Sequence, residues 1–313
     1  MSIGDYFSTA RSTRPGPLET GSLRILQALP VGHRIEMDRG NSYYREVEGP
    51  AQAPTLLLLH GWMATGGLNW LRGFEALGRE FRVIAPDLRG HGQGIRSWRR
   101  FRLEDCADDA AELIDRLGTG PVIAVGYSMG GAVAQLLWRR HPERVRGLVL
   151  CATGATMMAN LGQRVAFGGT LSALANAARL AQFSSQIPVG LFRAMWPAQA
   201  PRTPDTLRAW VTSEFSRHDW RMLIEAGSEL GRFSSWNWID EVDVPTSVVV
   251  TTQDTAIDAA RQLQMALKIP GASIIRAEGG HLSCAYPEFS DPLLAACQGV
   301  ASRSALAKTA LAS

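Results

Sequence analysis

From His33 onward the apolar residues of the chain fall into two alternating spacings. HRIEMD (33–38) and NSYYREVE (41–48) flank Arg39-Gly40 and predict a β-hairpin. TLLLLH (55–60) is an unbroken apolar run closed by Gly61, the pattern of a strand buried on both faces. In the next stretch, 67–80, Leu68, Trp70, Leu71, Phe74 and Leu77 recur at helical spacing, and FRVIAPD (81–87) reads as another strand. LEDCADDAAELIDRLG (103–118) predicts a helix whose acidic first turn suits the positive end of the helix dipole. PVIAVGYS (121–128), MGGAVAQLLWRRHPE (129–143) and VRGLVLCAT (145–153) continue as strand, helix and strand. Units of these lengths in succession imply right-handed crossovers and a mainly parallel sheet.

The alternation stops at about Gly154. As far as Glu241 helical apolar stretches are broken by Gly, Pro and Ser, and five tryptophans fall there: Trp196, Trp210, Trp220, Trp236 and Trp238. The sheet pattern then resumes with TSVVVTTQD (246–254), a helix from Ile257 to Ile269, and the strand ASIIRAE (272–278). The expected organisation is an α/β core over 26–153 and 242–300, with a helical insertion at 154–241. A flexible arm over 1–25 and a tail over 301–313, ending as a frayed helix, complete it. The arm is expected from its Ser, Thr, Arg, Pro and Gly content.

Composition narrows the function classes. Of 313 residues, 46% are hydrophobic and 19% charged, the balance of a globular domain. The net charge is only +3 and the basic residues are scattered, which gives no reason to expect nucleic acid as a partner. Cys106, Cys151, Cys284 and Cys297 show no CxxC or metal-ligand spacing, so reduced, buried thiols in a cytoplasmic protein are expected. The N-terminus lacks the apolar core of a signal peptide, and the longest weakly polar run, 165–178, is shorter than the ~20 residues that span a bilayer. Peripheral membrane contact stays open, and the oligomeric state is not read. No phosphate-binding loop, metal cluster or dinucleotide fingerprint occurs, so neither cofactor nor metal is expected.

The chemistry concentrates at strand ends. Gly126-Tyr127-Ser128-Met129-Gly130 is a G-x-S-x-G motif lying between a buried strand and a helix. A sharp turn there forces the serine into a strained backbone, and only small neighbours fit beside it. Ser128 is the candidate nucleophile, and a serine hydroxyl needs a base. Of the six histidines, His281 follows the last strand in Glu278-Gly279-Gly280-His281, at the carboxyl edge where open α/β sheets bind ligands. His33 and His141 are expected at the surface, and His218 lies in the insertion. Asp254 ends the strand before and is the candidate orienting acid, with Asp258 as its rival from the first turn of the next helix. An oxyanion needs two converging donors, for which the backbone N–H groups of Trp62 and Met129 are the candidates. His60 is read as a structural ring that holds its loop, and Asp87 as part of a structural turn. Cys284 is read as a packed side chain.

HGW (60–62), DLRGHGQG (87–94), GYSMGG (126–131), TTQD (251–254) and GGH (279–281) resemble, in order and spacing, the α/β-hydrolase superfamily. The resemblance covers residues 33–300. It looks closest to bacterial esterases, lipases and related hydrolases with one HG-x oxyanion motif and a helical cap between strands six and seven. It implies that the cap covers an acyl pocket and helps to select the substrate. The elbow serine sets the chain apart from the similar dehalogenase and epoxide-hydrolase branches, which carry aspartate there. Two positions depart from the pattern: Thr251 stands where a glycine is frequent, and Asp258 where a proline is frequent. The expected activity is hydrolysis of an ester of a small to medium apolar acyl group. Cleavage of a carbon–carbon bond, lactone or thioester by the same triad is the alternative, and a non-catalytic ligand-binding protein the third reading.

Overall fold

The computed structural model describes residues 29–158, 161–183 and 207–312. The arm expected over 1–25, and Trp196, lie outside them. Eight strands form one open sheet in the order β1-β2-β4-β3-β5-β6-β7-β8. The strands are β1 (Gly32–Met37), β2 (Gly40–Val47), β3 (Thr55–Leu59), β4 (Arg82–Pro86), β5 (Val122–Tyr127), β6 (Val145–Cys151), β7 (Thr246–Thr251) and β8 (Ser273–Ala277). The hairpin β1–β2 is antiparallel and so is β2 against β4, whereas every pairing from β4 through β8 is parallel. The expected mainly parallel sheet flanked by helices is therefore present.

The central strands show why continuous apolar runs were required. Leu56 and Leu58 point to one face, with Trp70, Phe74, Val125 and Leu293, while Leu57 and Leu59 point to the other, with Leu113, Val133 and Leu137. Both layers exclude water, so neither set of alternate positions can be polar. The covering helices are α1 (Gly66–Trp70), α2 (Phe74–Gly78), α3 (Leu103–Arg116), α4 (Met129–Arg140), α8 (Ala259–Lys268) and α9 (Ser290–Ala312). Between β6 and β7 lie α5 (Leu161–Phe183), α6 (Leu207–Ser216) and α7 (Trp220–Arg232).

Two expectations change. The periodic stretch around Leu68–Leu77 is not one helix: α1 ends at Trp70 and α2 starts at Phe74. The break falls at Gly73, which caps α2 and has the Leu293 side chain only 3.1 Å from where a Cβ would stand. Over 301–312 the expected tail is the helical end of α9, which runs on to Ala312. His141 is half-buried rather than at the surface, its Nε2 lying 2.9 Å from Asp108 Oδ1.

The helical excursion has a narrow neck. Thr156 and Ser234 form an isolated antiparallel bridge, and Ser235 N–H donates to Ala155 O at 2.8 Å. The Ser235 hydroxyl also donates to Gln135 Oε1 of α4 at 2.6 Å. Among the described residues, no helix is long and apolar enough to cross a membrane.

Candidate active site

The turn between β5 and α4 is built by close packing. A Cβ on Gly126 would stand 2.3 Å from Gly130 O, one on Gly130 2.0 Å from Leu59 O, and one on Gly131 2.4 Å from Thr153 Cγ2. Backbone thus touches backbone at the first two positions, and only glycine fits. The cost of so tight a turn appears at Ser128, whose φ of 52° and ψ of −114° lie in a left-handed region that L side chains avoid. The turn is held from outside: Ser128 N–H donates to Cys151 O at 2.9 Å, and Thr153 Oγ donates to Ser128 O at 2.9 Å.

His281 arrives from the loop after β8. Its Nε2 lies 2.9 Å from Ser128 Oγ and its Nδ1 lies 2.8 Å from Asp254 Oδ2. The acid's oxygens are acceptors, so Nδ1 carries the proton and Nε2 faces the serine with a lone pair. The Tyr127 hydroxyl donates to the His281 carbonyl at 2.9 Å and fixes the backbone behind the ring. The two loops are also joined to each other, by Thr252 N–H to Ala277 O at 3.0 Å and Gln253 N–H to Gly279 O at 2.9 Å.

Asp254 is 6% exposed and its four further partners are all local. Oδ1 accepts from Ala256 and Ile257 N–H, both at 2.9 Å, and Oδ2 accepts from Thr251 Oγ at 2.8 Å and Gln262 Nε2 at 3.2 Å. Burial pushes its carboxyl up. The hydrogen bond and charge of His281, with the Ile257 and Thr251 donors, overcome this and hold it below the ordinary carboxylate range. Thr251 thus supplies a hydroxyl where a glycine is frequent. Asp258 is exposed, and it caps α8 by accepting from Ala260 N–H at 2.7 Å. It does not reach His281.

Gly61 brings the loop after β3 against the serine, since its Cβ would stand 3.5 Å from Ser128 Cβ. Gly61 N–H donates to Asn69 Oδ1 at 3.0 Å, which fixes the backbone just before Trp62. Met129 is the first residue of α4, where a helix leaves its N–H without an intrahelical acceptor. The His60 ring is fully buried. Its Nε2 accepts from Leu88 N–H at 2.9 Å and its Nδ1 donates to Gly61 O at 2.8 Å. Burial, then the neighbouring His91, holds it well below the ordinary imidazole value, so it is neutral. Asp87 accepts from Gly66 and Gln93 N–H at 2.9 and 2.8 Å, and burial raises it to about 7. Cys284, half-buried and desolvated beside Tyr127, is pushed up to about 12 and carries no thiolate at neutral pH. His218 is buried between α6 and α7, where its Nδ1 accepts from Gly92 N–H at 2.9 Å.

Sequence reasoning did not single out Asn69, Gln262 or the Thr153 hydroxyl as supports of the site. Only Thr251 had left a signal, as a departure from the family pattern. No group of three or more His, Cys, Asp or Glu among the described residues could hold a metal ion.

Residues 54–286 match the model of the alpha/beta hydrolase fold family. The chain belongs to that family. Among curated proteins it is similar to the 30 kDa subunit of magnesium chelatase from Rhodobacter capsulatus, 40% identical over 102 residues, or 32% of this chain and 36% of that one. The match therefore spans only about a third of that relative. A poly(3-hydroxyalkanoate) depolymerase of Ectopseudomonas oleovorans is 28% identical over 208 residues, covering 66% of this chain and 71% of its own. A solved thermophilic esterase from Thermogutta terrifontis, bound to malate, superposes with a TM-score of 0.64 at 25% identity, covering 85% of this chain and 97% of that one.

Proposed function

We propose that the chain is a serine ester hydrolase in which Ser128 is the nucleophile, His281 the general base and Asp254 the orienting acid. The observation that carries this reading is the unbroken line Ser128 Oγ, His281 Nε2, His281 Nδ1 and Asp254 Oδ2, with links of 2.9 and 2.8 Å. In the first half-reaction Ser128 Oγ attacks the ester carbonyl as its proton passes to His281, and Asp254 stabilises the resulting imidazolium. The N–H groups of Trp62 and Met129 hold the oxyanion. The alcohol leaves with the proton from His281, and water then releases the acyl group through the same base. The segment 154–241 acts as a cap over an apolar acyl pocket, and a small to medium acyl group is the proposed substrate part. The core regions 26–153 and 242–300 carry all five of these residues. No cofactor takes part in this scheme, and a cytoplasmic location goes with it, since all four cysteines are free thiols. The esterase and depolymerase likenesses support an ester over the other acyl substrates.

Replacing Ser128 by Ala is expected to lower kcat on p-nitrophenyl butyrate by about 10⁴-fold or more, and to abolish labelling by a fluorophosphonate. A folded S128A protein that kept most of its turnover would overturn the mechanism. Parallel rates on lactones and acyl-thioesters decide the bond type, and the ester reading fails if either of those is the faster substrate.

A further inference from the structure

The loop that carries Trp62 is fastened at its two ends by the core and in its middle by the helical excursion. At the start, His60 is bonded through both ring nitrogens and Gly61 N–H is held by Asn69. At the far end Gly66 N–H is held by Asp87 Oδ1 at 2.9 Å. Between them the backbone bonds are Ala64 N–H to Gly61 O at 3.2 Å and, at the entry to α1, Asn69 N–H to Thr65 O at 3.0 Å, and Met63 adopts a left-handed φ of 60°. The Thr65 hydroxyl also caps α1 by accepting from Leu68 N–H at 3.1 Å, and two side chains tie this part to the excursion. Trp62 Nε1 donates to Leu223 O of α7 at 2.9 Å, and the Thr65 hydroxyl donates to Glu214 Oε2 of α6 at 2.8 Å. Glu214 is 2% exposed, and its other oxygen accepts from Arg217 at 2.6 Å.

The indole is also clasped by shape. It meets the Phe167 ring of α5 edge-on, with centroids 6.1 Å apart. On α7 it lies against Gly227, where a Cβ would stand 2.8 Å from Trp62 Cζ2. The carbonyl of Leu223 sits four residues before that glycine. Helix α7 thus presents an acceptor and, one turn later, a gap at the same indole. A half-buried tryptophan N–H needs such an acceptor, and a helical carbonyl has a second lone pair to give.

We propose that Trp62, through its indole, and Glu214 are positioning residues: they aim the Trp62 backbone N–H at the oxyanion and so couple seating of the helical excursion to the chemical step. The inference rests on the reading of Trp62 N–H as an oxyanion donor. Among the described residues, Ser128, His281 and Asp254 make no hydrogen bond to α5, α6 or α7, whereas the loop carrying the proposed donor Trp62 does. An oxyanion donor works only when aimed at the developing charge, and a displacement of about 1 Å can cost on the order of 10²-fold. Unseating the excursion leaves the nucleophile in place and spoils the donor.

The test compares Trp62→Phe, Gly227→Ala, Glu214→Ala and Glu214→Gln with the wild type. Each is measured for kcat and KM on p-nitrophenyl butyrate and for inhibition by two ketones of the same chain. In the trifluoromethyl ketone, Ser128 Oγ adds to the carbonyl carbon, His281 takes the proton and the carbonyl electron pair becomes the oxyanion. The plain methyl ketone binds without that addition. Trp62→Phe keeps an aromatic ring but removes the N–H and the second ring of the indole. It is expected to lower kcat and trifluoromethyl ketone affinity together by about 10- to 100-fold, with KM and methyl ketone affinity within about twofold. Gly227→Ala keeps the indole N–H but sets a Cβ 2.6 Å from Leu171 Cδ1 and 2.8 Å from Trp62 Cζ2, and should move the same two quantities by about 3- to 10-fold. Glu214→Ala should follow, and Glu214→Gln, which still accepts from Thr65, should restore most of the loss. If Trp62→Phe does not fold by circular dichroism, Gly227→Ala carries the same reading. Folded variants with unchanged kcat and trifluoromethyl ketone affinity would overturn the proposal, and so would equal losses for both ketones, which mark a plain pocket residue. A wild type that neither hydrolyses the ester nor binds the trifluoromethyl ketone removes the ester-hydrolase reading itself.

Discussion

Leu56 to Leu59 of β3 and the inner face of α7 are both buried, yet their surroundings differ in kind. Around β3 the neighbours are almost wholly apolar: Trp70, Phe74, Ile123, Val125, Leu113 and Leu137 on the two faces of the sheet. The inner face of α7 carries Met222, Leu223, Ala226 and Leu230, but Arg221, Glu225 and Ser228 are buried among them. Glu225 accepts from Arg179 at 2.5 Å, Arg221 at 3.1 Å and Phe101 N–H at 2.8 Å. Apolar burial is non-directional and tolerates small shifts, whereas a buried carboxylate with three donors demands one arrangement. The core is therefore held by area and the excursion by geometry. A part attached by a few exacting bonds is seated or unseated as a unit.

That contrast can be broken at both ends. The largest effect belongs to the core's catalytic edge: Asp254→Asn should lower kcat by about 10³- to 10⁴-fold with little change in KM, because the amide disturbs the tautomer of His281. Asp258→Asn, at an exposed helix cap, should leave kcat within about twofold, and a large loss there would move the acid role to Asp258.

Next comes Gly130→Ala, which drives a Cβ into the backbone of Leu59 at 2.0 Å. It is expected to cost at least about 3 kcal/mol of global stability, seen as one lowered cooperative transition in urea. Glu225→Ala should cost about 3 kcal/mol as well, since it strands two arginines in a buried site. Its effect should be local: proteolysis should cut within 161–232 well before the core unfolds. Cleavage of core and excursion at the same rate would show that the two regions are one cooperative unit.

The smallest effect concerns ion pairing at the surface of the core. Asp108 is partly buried, which raises its carboxyl, but its bonds to Arg140 and His141 bring it down to about 2. A carboxylate depressed in the folded state adds stability above its unfolded pKa of 3.8, and that stability is lost as pH falls through about 2. Asp108→Asn should therefore lower stability by about 1 kcal/mol at pH 7, after allowance for solvent screening, with no difference below pH 2. Melting curves against pH measure this.

The sheet was legible because its strands must be apolar on both faces, and a run such as Thr55–Leu59 has no other soluble use. The elbow was legible for the opposite reason, since close backbone contact admits only glycine at 126 and 130. The candidates Ser128, Asp254 and His281 were read from the G-x-S-x-G motif and from an acid and a histidine at the two following strand ends. What sequence could not show is long-range pairing. Glu214 and Thr65 are far apart in the chain, and nothing local marks a glutamate that a distant hydroxyl will need. Gln262 shares that anonymity, an ordinary polar residue until the fold brings it to Asp254, whereas Thr251 was marked only as a departure from the family pattern. The split between α1 and α2 was hidden because the apolar spacing runs on across Gly73, where the chain packs closely against Leu293.

The bridge between Thr156 and Ser234 has a consequence for descent as well as for shape. The chain leaves the sheet, forms three helices among the described residues of the excursion, and Ser234 pairs beside the point of departure at Thr156. A socket of that kind accepts inserts of very different length, because doubling a loop adds only about 0.6 kcal/mol of closure entropy. Selection can lengthen, shorten or exchange the whole excursion at two peptide bonds while the sheet beneath stays as it is. Any replacement inherits one obligation, which is to offer Trp62 a carbonyl and Thr65 an acceptor. Splicing a foreign segment between Thr156 and Ser234 is thus a way to borrow a new specificity, and those two acceptors are the part that must travel with it.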